Sequence, residues 1–195
     1  MFKQSKYVDP KVTFDSNKFR SALSAYEAEI DLDLQDYFLR VNNDIETINT
    51  DVNIMVDWGL DIFIYQQKDF WATPAQTLAK LSGDCEDIVF LKWFLFLLAG
   101  VPVNSMRFVY CTVNGAGHMV LARYPYGLGK QPFIYDNLTN KVLPAKKTNL
   151  KVVMMFDMRN IYTNNKAHSL DTTSFSMWEG LKHRLELEGL TITQE

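Results

Sequence analysis

Cysteine, histidine and long apolar runs are all scarce in this chain of 195 residues. Its two cysteines, Cys85 and Cys111, are too few for a disulfide scaffold and lack the paired spacing of a zinc or redox motif. Lysine and arginine form no dense run, and the net charge of -3 lacks the basic footprint of a nucleic-acid-binding protein. The cysteine count is therefore compatible with a single reactive thiol.

Membrane and export signals are missing as well. No stretch is apolar over the roughly 18 residues that a membrane span needs, and residues 1–6 lack the apolar segment of a signal peptide. We therefore expect a soluble chain that shows no export signal. The length fits one domain, and a hydrophobic content of 47% excludes a disordered protein.

The N-terminal half is predicted to be helical. Apolar residues recur at helical intervals over residues 16–48, which predicts two amphipathic helices with a break near residues 31–33. Residues 51–70 lose this period and place aromatic side chains among polar ones, which predicts a loop that could overhang a cleft. A short helix should follow Thr73, because Gln76 occupies the capping-box position relative to it.

The most apolar segment of the chain is residues 88–99, which is apolar on every side except at Lys92 and stops at Gly100. A helix that is apolar all round is buried in protein or lipid, and this one is too short to cross lipid. The sequence therefore predicts a central core helix with residues 84–86 at its N-terminal end.

The second half is predicted to form a sheet and a closing helix. The apolar period changes to two in four segments, which are typical of antiparallel strands: residues 107–113, 118–124, 133–136 and 151–156. A capping box and a glycine stop predict a helix over residues 176–188. The predicted class is α+β, as one domain over residues 1–195 with a helical part at about 14–100 and a sheet part at about 105–157.

Cys85 occupies a position at which a thiol can become a nucleophile, because a helix N-terminus and a nearby imidazolium both lower a thiol pKa. Of the three histidines, His183 lies in the closing helix and His168 in a polar loop, whereas His118 begins a strand after a glycine turn. Asp136, at the end of the next strand, could orient His118 if the two strands pair. A buried structural cysteine, a hydrogen-bonded surface histidine and an ordinary strand exit are the alternatives.

Two carboxylates flank the cysteine. Asp84 and Glu86 could cap the free N–H groups of the helix and complement its dipole. They could instead bind a hard cation such as Ca²⁺, which prefers oxygen ligands, but two carboxylates alone are a weak calcium signal. Their charge opposes formation of the Cys85 thiolate, and a bound cation would offset that effect.

Six short motifs lie in one order between residues 71 and 156. They are Trp71-Ala72-Thr73-Pro74, Gly83-Asp84-Cys85-Glu86-Asp87, Leu98-Ala99-Gly100-Val101-Pro102, His118-Met119-Val120-Leu121, Tyr135-Asp136-Asn137-Leu138 and Val142-Leu143-Pro144-Ala145. In these motifs the chain resembles the bacterial transglutaminase-like cysteine proteinases, the family of LapG-type periplasmic proteases. None of the motifs is specific alone, but together they are.

The resemblance implies a papain-like, transglutaminase-like core, in which N-terminal helices pack on an antiparallel sheet. It implies a catalytic triad of Cys85, His118 and Asp136. It also implies Ca²⁺ as the cofactor, bound beside the cysteine through Asp84 and Glu86.

The resemblance further places Trp71 near the cleft, although a core aromatic is an equally good interpretation of that residue. It implies a periplasmic cysteine endopeptidase that cleaves the N-terminal region of a LapA-type biofilm adhesin at a small-residue site. A LapD-type inner-membrane receptor would sequester the enzyme under cyclic-di-GMP control. The alternatives are a transglutaminase or amidase, which shares the acyl-enzyme chemistry, and a catalytically silent module that holds a peptide.

Overall fold

The computed structural model describes residues 10–28, 44–163, 166–169 and 176–193, of which 166–169 are described by their backbone. In these ranges the helices are α1 (Ser16–Ala25), α2 (Ile48–Met55), α3 (Asp61–Ile64), α4 (Pro74–Lys80), α5 (Cys85–Leu98) and α6 (Ser176–Leu187). The strands are β1 (Lys11–Phe14), β2 (Asp57–Trp58), β3 (Ser82–Gly83), β4 (Met106–Val113), β5 (Ala116–Arg123), β6 (Phe133–Tyr135), β7 (Leu143–Pro144), β8 (Lys151–Phe156), β9 (Asn160–Thr163), β10 (Lys166–Ser169) and β11 (Leu190–Thr193).

An antiparallel sheet of seven strands forms one layer, in the order β10-β9-β8-β4-β5-β6-β7. The hairpin between β4 and β5 turns at Asn114 and Gly115, whose φ angles of 52° and 87° are left-handed values that asparagine and glycine adopt at low cost. The two-residue turn pairs Cys111 with His118 across the hairpin. All four strands predicted in this region are confirmed, with ends that differ by one or two residues.

The core helix α5 packs against β5, α2 and α4. Every residue from Asp87 to Leu97 is buried, and the helix stops before Gly100, whose φ of 77° is left-handed. The prediction of a central buried helix is confirmed. No helix in the described residues is long and apolar enough to cross a membrane.

The two ends of the described chain are joined. Strands β1 and β11 pair antiparallel, with Phe14 opposite Leu190. Just before β11, the predicted closing helix is present as α6, and it buries Trp178 completely. The C-terminal segment is therefore packed into the same core as the helix that begins at Cys85.

Part of the predicted loop is helical. The helix α2 begins at Ile48, where the N-terminal helices were predicted to end, and the short helix α3 follows within the same stretch. The helical period was hidden because the buried face of α2 includes Asn49 beside Ile48 and Val52, and a hydrophobic pattern counts an asparagine as exposed. The break predicted near residues 31–33 lies outside the described residues.

Seven short strands were not predicted: β1, β2, β3, β7, β9, β10 and β11. They are two to four residues long, so they are too short for an apolar alternation to show in the sequence. One of them corrects a prediction, because His168 lies in strand β10 and not in a loop.

Candidate active site

Cys85 is the first residue of α5 and is only partly buried. The strand before it, β3, pairs in parallel with β2, so that Trp58 lies opposite Gly83. A side chain at position 83 would not fit, because its Cβ would lie 2.7 Å from the Cβ of Asp87. Gly83 thus allows the chain to pass close to the first turn of the helix and present the Cys85 thiol at its N-terminus.

His118 and Asp136 meet on neighbouring strands. Strand β5 pairs with β6, which places Leu121 opposite Tyr135. The contact joins His118 Nε2 to Asp136 Oδ1 at 2.8 Å, and both side chains are buried. With the Nε2 proton directed at the carboxylate, Nδ1 is the nitrogen left to accept a proton.

The pKa of Asp136 lies below its usual value. Burial alone would raise it, but several groups outweigh burial: the hydrogen bond with His118, the Leu138 N–H that donates to Oδ1 at 2.9 Å, and the charge of Lys92. Asp136 is therefore held as a carboxylate that can anchor the imidazole.

Cys85 and His118 line one cleft of about 920 Å³. Asp136 is hydrogen-bonded to His118. The structure therefore brings together the three residues predicted to be catalytic. His118 is the third residue of its strand, not the first as predicted, because the turn uses only Asn114 and Gly115 and the strand begins at Ala116.

Trp71 fits both of its predicted interpretations. It lines the cleft, yet only 8% of its surface is exposed. Its ring packs in the core against Phe90, at a centroid distance of 5.2 Å, and against Phe156, at 5.9 Å. Trp71 therefore forms the floor of the cleft and belongs to the core.

A cluster of carboxylates surrounds the start of α5. Asp84 is the residue before the first helical turn, but its side chain accepts no capping hydrogen bond from the described helix. Two groups of side chains near this turn could each hold one ion, because their ligand atoms lie within 4.8 Å of one another. One group consists of Asp84, Glu86 and the thiol of Cys85. The other consists of Glu86, Asp61 and Asp69. The simple capping role is thus not what the Asp84 side chain does.

Several oxygens of this cluster lack a donor. Within the described residues, Asp84 Oδ1, Asp61 Oδ1 and Asp87 Oδ2 are buried without a hydrogen-bond partner. Buried polar atoms are normally paired. Unpaired carboxylate oxygens grouped in this way match the hard oxygen ligands that Ca²⁺ binds.

The cluster changes the acidity of its own members. Burial, followed by the charges of Glu86 and Asp87, raises the pKa of Asp84 to about 9. Burial and the neighbouring Glu86 also raise the pKa of the Cys85 thiol, whose Sγ donates to Glu86 Oε2 at 3.0 Å. Without a cation, the site therefore favours the neutral thiol over the nucleophilic thiolate.

Asp61, Asp69 and Trp58 are residues of the site that the sequence did not single out. All three line the cleft, so the stretch predicted to overhang a cleft does reach one. The signal available was the mixture of aromatic and acidic residues in residues 51–70. What could not be seen is the parallel pairing of β2 with β3, which brings this stretch beside Cys85.

The chain matches the model of a family described as bacterial transglutaminase-like cysteine proteinase (BTLCP) over residues 26–167. It is also similar to solved structures of LapG from Legionella pneumophila. One has a TM-score of 0.62 and 24% identity over 86% of this chain and 85% of that chain.

A calcium-bound LapG structure has a TM-score of 0.63 and 24% identity over 86% of this chain and 87% of that chain. An EGTA-treated one has a TM-score of 0.64 and 24% identity over 86% of both chains. No curated protein sequence matches the chain. The comparisons confirm the predicted resemblance and the predicted α+β, transglutaminase-like fold.

Proposed function

The chain belongs to the family of bacterial transglutaminase-like cysteine proteinases, and on that premise we propose that it is an endopeptidase with a Cys85, His118 and Asp136 triad. The observation that carries the proposal is the 2.8 Å contact between His118 and Asp136, in a cleft that also exposes Cys85. A nucleophile, a base and a group that orients the base are the parts that acyl transfer requires.

In the proposed mechanism, His118 Nδ1 takes the proton of Cys85 while Asp136 holds the Nε2 proton. The thiolate attacks the carbonyl carbon of the scissile peptide bond, and the backbone N–H of Cys85 at the helix start donates to the resulting oxyanion. The intermediate collapses to a thioester as His118 protonates the leaving amine. A water molecule, deprotonated by His118, then hydrolyses the thioester and restores the thiol.

We propose that Asp84 and Glu86 hold Ca²⁺, with Asp61 and Asp69 close enough to supply further oxygens. The support is the buried, unpaired oxygens of Asp84 and Asp61, the closeness of Glu86 to both aspartates and the existence of a calcium-bound LapG structure. Bound there, the ion would cancel the negative charge that raises the pKa of the Cys85 thiol. With the ion bound, the net charge beside Cys85 would no longer oppose formation of the thiolate.

The proposed substrate is the N-terminal region of a LapA-type adhesin, cleaved in the periplasm at a small-residue site so that a biofilm cell releases the adhesin. A LapD-type receptor that responds to cyclic-di-GMP is the proposed partner. The support is the family membership and the shape of the cleft, whose rim exposes 60% of Trp58 and 63% of Leu138. An open cleft with an apolar rim suits an extended peptide.

The test compares the wild-type protein with Cys85→Ala on an N-terminal adhesin fragment in the presence of calcium. We expect the wild-type protein to cleave the fragment and the variant to leave it intact, as read by mass spectrometry. Cys111→Ser is the matched control, because it removes the other thiol, keeps a donor to the His118 carbonyl and should keep cleavage. Cleavage by Cys85→Ala would overturn the assignment of the nucleophile.

The same assay separates the alternatives when an amine is added. A product crosslinked to the amine, in place of cleaved fragment, would indicate a transglutaminase or amidase. A third result would be no product, with Cys85 alkylated by iodoacetamide no faster than a free thiol. That result would indicate a silent peptide-binding module.

A further inference from the structure

A buried lysine lies behind the His118–Asp136 pair. Lys92 is the one charged residue in the apolar part of α5, and its side chain is fully buried, with a relative exposure of 0%. Burial lowers its pKa to about 7, and the charge of Asp136 acts in the opposite direction. A lysine in such a position costs free energy unless a specific partner compensates it.

The partner of Lys92 is a buried amide. Lys92 Nζ donates to Asn49 Oδ1 at 2.7 Å, and Asn49 on α2 is itself 0% exposed. The charge of Asp136 favours the ammonium form of Lys92, which has donors and no acceptor. Lys92 therefore selects the amide orientation in which Oδ1 faces the lysine and Nδ2 points away from it.

The Nδ2 group of Asn49 reaches the turn that carries Asp136. It donates to the carbonyl of Thr139 at 2.8 Å. One helical turn later, Asn53 donates to the carbonyl of Asp136 at 3.0 Å and to that of Thr139 at 3.2 Å. The turn at residues 136–140 is thus attached to two side-chain amides of α2, and Lys92 orients one of them.

We propose that Lys92 is a positioning residue: by orienting the Asn49 amide it fixes the turn at residues 136–140, and with it the Asp136 carboxylate, against His118. The proposal rests on the triad of the proposed function. The titratable groups that act on Asp136 come from two elements, namely His118 on β5 and Lys92 on α5, and Asp136 in turn raises the pKa of the buried Cys111 thiol on β4 after burial itself.

The test uses two variants that break the chain of hydrogen bonds at different points. Lys92→Met keeps a long apolar side chain and removes the donor to Asn49. Asn49→Asp keeps an acceptor for Lys92 and removes the donor to Thr139. Leu95→Met is the matched control, since it places the same new residue at another buried position of the same helix, where a volume-conserving swap is tolerated.

Two measurements are made on the calcium-loaded protein. The ¹⁵N shifts of the His118 ring report which nitrogen carries the proton. The rate at which iodoacetamide alkylates Cys85 reports the reactivity of the thiol. In Lys92→Met and Asn49→Asp we expect His118 to lose its single Nε2-protonated tautomer. We also expect alkylation of Cys85 to slow about tenfold, which is the size of effect seen when a residue that orients a functional group is removed. Leu95→Met should match the wild-type protein in both.

The outcomes separate this proposal from the triad itself. If either variant keeps the wild-type tautomer and alkylation rate, and only its melting temperature moves, Lys92 has a structural role and the proposal is wrong. A different result would be a wild-type Cys85 no more reactive than a free thiol, with a His118 tautomer that still depends on Lys92. The triad would then be wrong, while the positioning by Lys92 would stand.

Discussion

Two aspartates of this site have opposite electrostatic environments. Burial, together with the charges of the surrounding carboxylates, raises the pKa of Asp84 to about 9. Asp136 is also buried, but hydrogen-bond donors and the Lys92 charge lower its pKa. Asp84 is therefore the group whose ionisation a bound cation would favour, and Asp136 is an ionised carboxylate suited to orienting a histidine.

Asp136→Asn should lower the cleavage rate by roughly 10²- to 10⁴-fold, because an amide at this position can donate to Nε2 and so favours the wrong tautomer of His118. The measurement is the rate of cleavage of the adhesin fragment. His118→Gln should lose activity to a similar extent. A rate within about threefold of the wild-type rate would remove Asp136 from the triad.

The same substitution should change the acid sensitivity of the fold. Because the folded state lowers the pKa of Asp136 below its ordinary value of 3.8, the carboxylate stabilises the protein above that pH. This contribution is lost as the pH falls through the lowered pKa. The melting temperature of Asp136→Asn should therefore fall less steeply than that of the wild-type protein below about pH 4. Equal slopes would contradict the direction of the shift.

The start of helix α5 combines the nucleophile and the acidic cluster in a single turn. Asp87 Oδ1 accepts the N–H of Ala72 at 2.7 Å, and Asp61 Oδ2 accepts the N–H of Phe70 at 2.6 Å. These bonds attach the segment before α4 to the acidic cluster. A cation bound in the cluster should therefore stabilise several elements at once.

Calcium should raise the melting temperature, and the gain should be larger at pH 8 than at pH 6. Without the ion, the raised pKa of Asp84 means that its stabilising contribution is lost as the pH rises towards about 9. Calcium binding requires deprotonated ligands and reverses this trend. At a concentration a hundredfold above Kd, the gain in the free energy of unfolding is about 2.7 kcal/mol.

The measurement is thermal unfolding with calcium and with EGTA at both pH values. Asp84→Ala should remove most of the response. If chelation left the melting temperature unchanged, Asp84 and Glu86 would not hold calcium, and their remaining role would be a favourable interaction with the dipole of helix α5.

At the scale of the whole molecule, an aromatic cluster around Trp178 joins two helices to the central sheet. The ring of Trp178 on α6 lies 5.9 Å from Phe90 on α5, 5.2 Å from Phe108 on β4 and 5.6 Å from Phe156 on β8, measured between centroids. The C-terminal helix, the core helix and the sheet therefore share a core. A substitution that disrupts the packing of α6 should lower the stability of the whole fold.

Trp178→Ala should lower the free energy of unfolding by about 3–5 kcal/mol, because it leaves a large cavity in this cluster. Leu187→Ala is the matched control on the same helix, with 65% of the side chain exposed, and should change stability by less than about 0.5 kcal/mol. Urea unfolding measures both. Equal effects of the two substitutions would mean that α6 is not an integral part of the core.

The sequence by itself determined what depends on local patterns. The start of α4 follows from Thr73 and Gln76, whose reciprocal capping bonds are both present. The core helix and the four predicted strands follow from apolar runs and alternation, since such patterns show which faces of an element must avoid water. Cys85, His118 and Asp136 could be proposed as a triad from the sequence because each lies at or near an end of a helix or strand that these patterns predict.

The tertiary structure alone decided how distant segments meet. The contact of His118 with Asp136 depends on the pairing of β5 with β6, and the arrival of Asp61 beside Asp84 depends on the pairing of β2 with β3. Lys92 appeared in the sequence only as an exception in an apolar helix. Its partner Asn49 lies far away along the chain, and a buried polar pair is favourable only when both members arrive together.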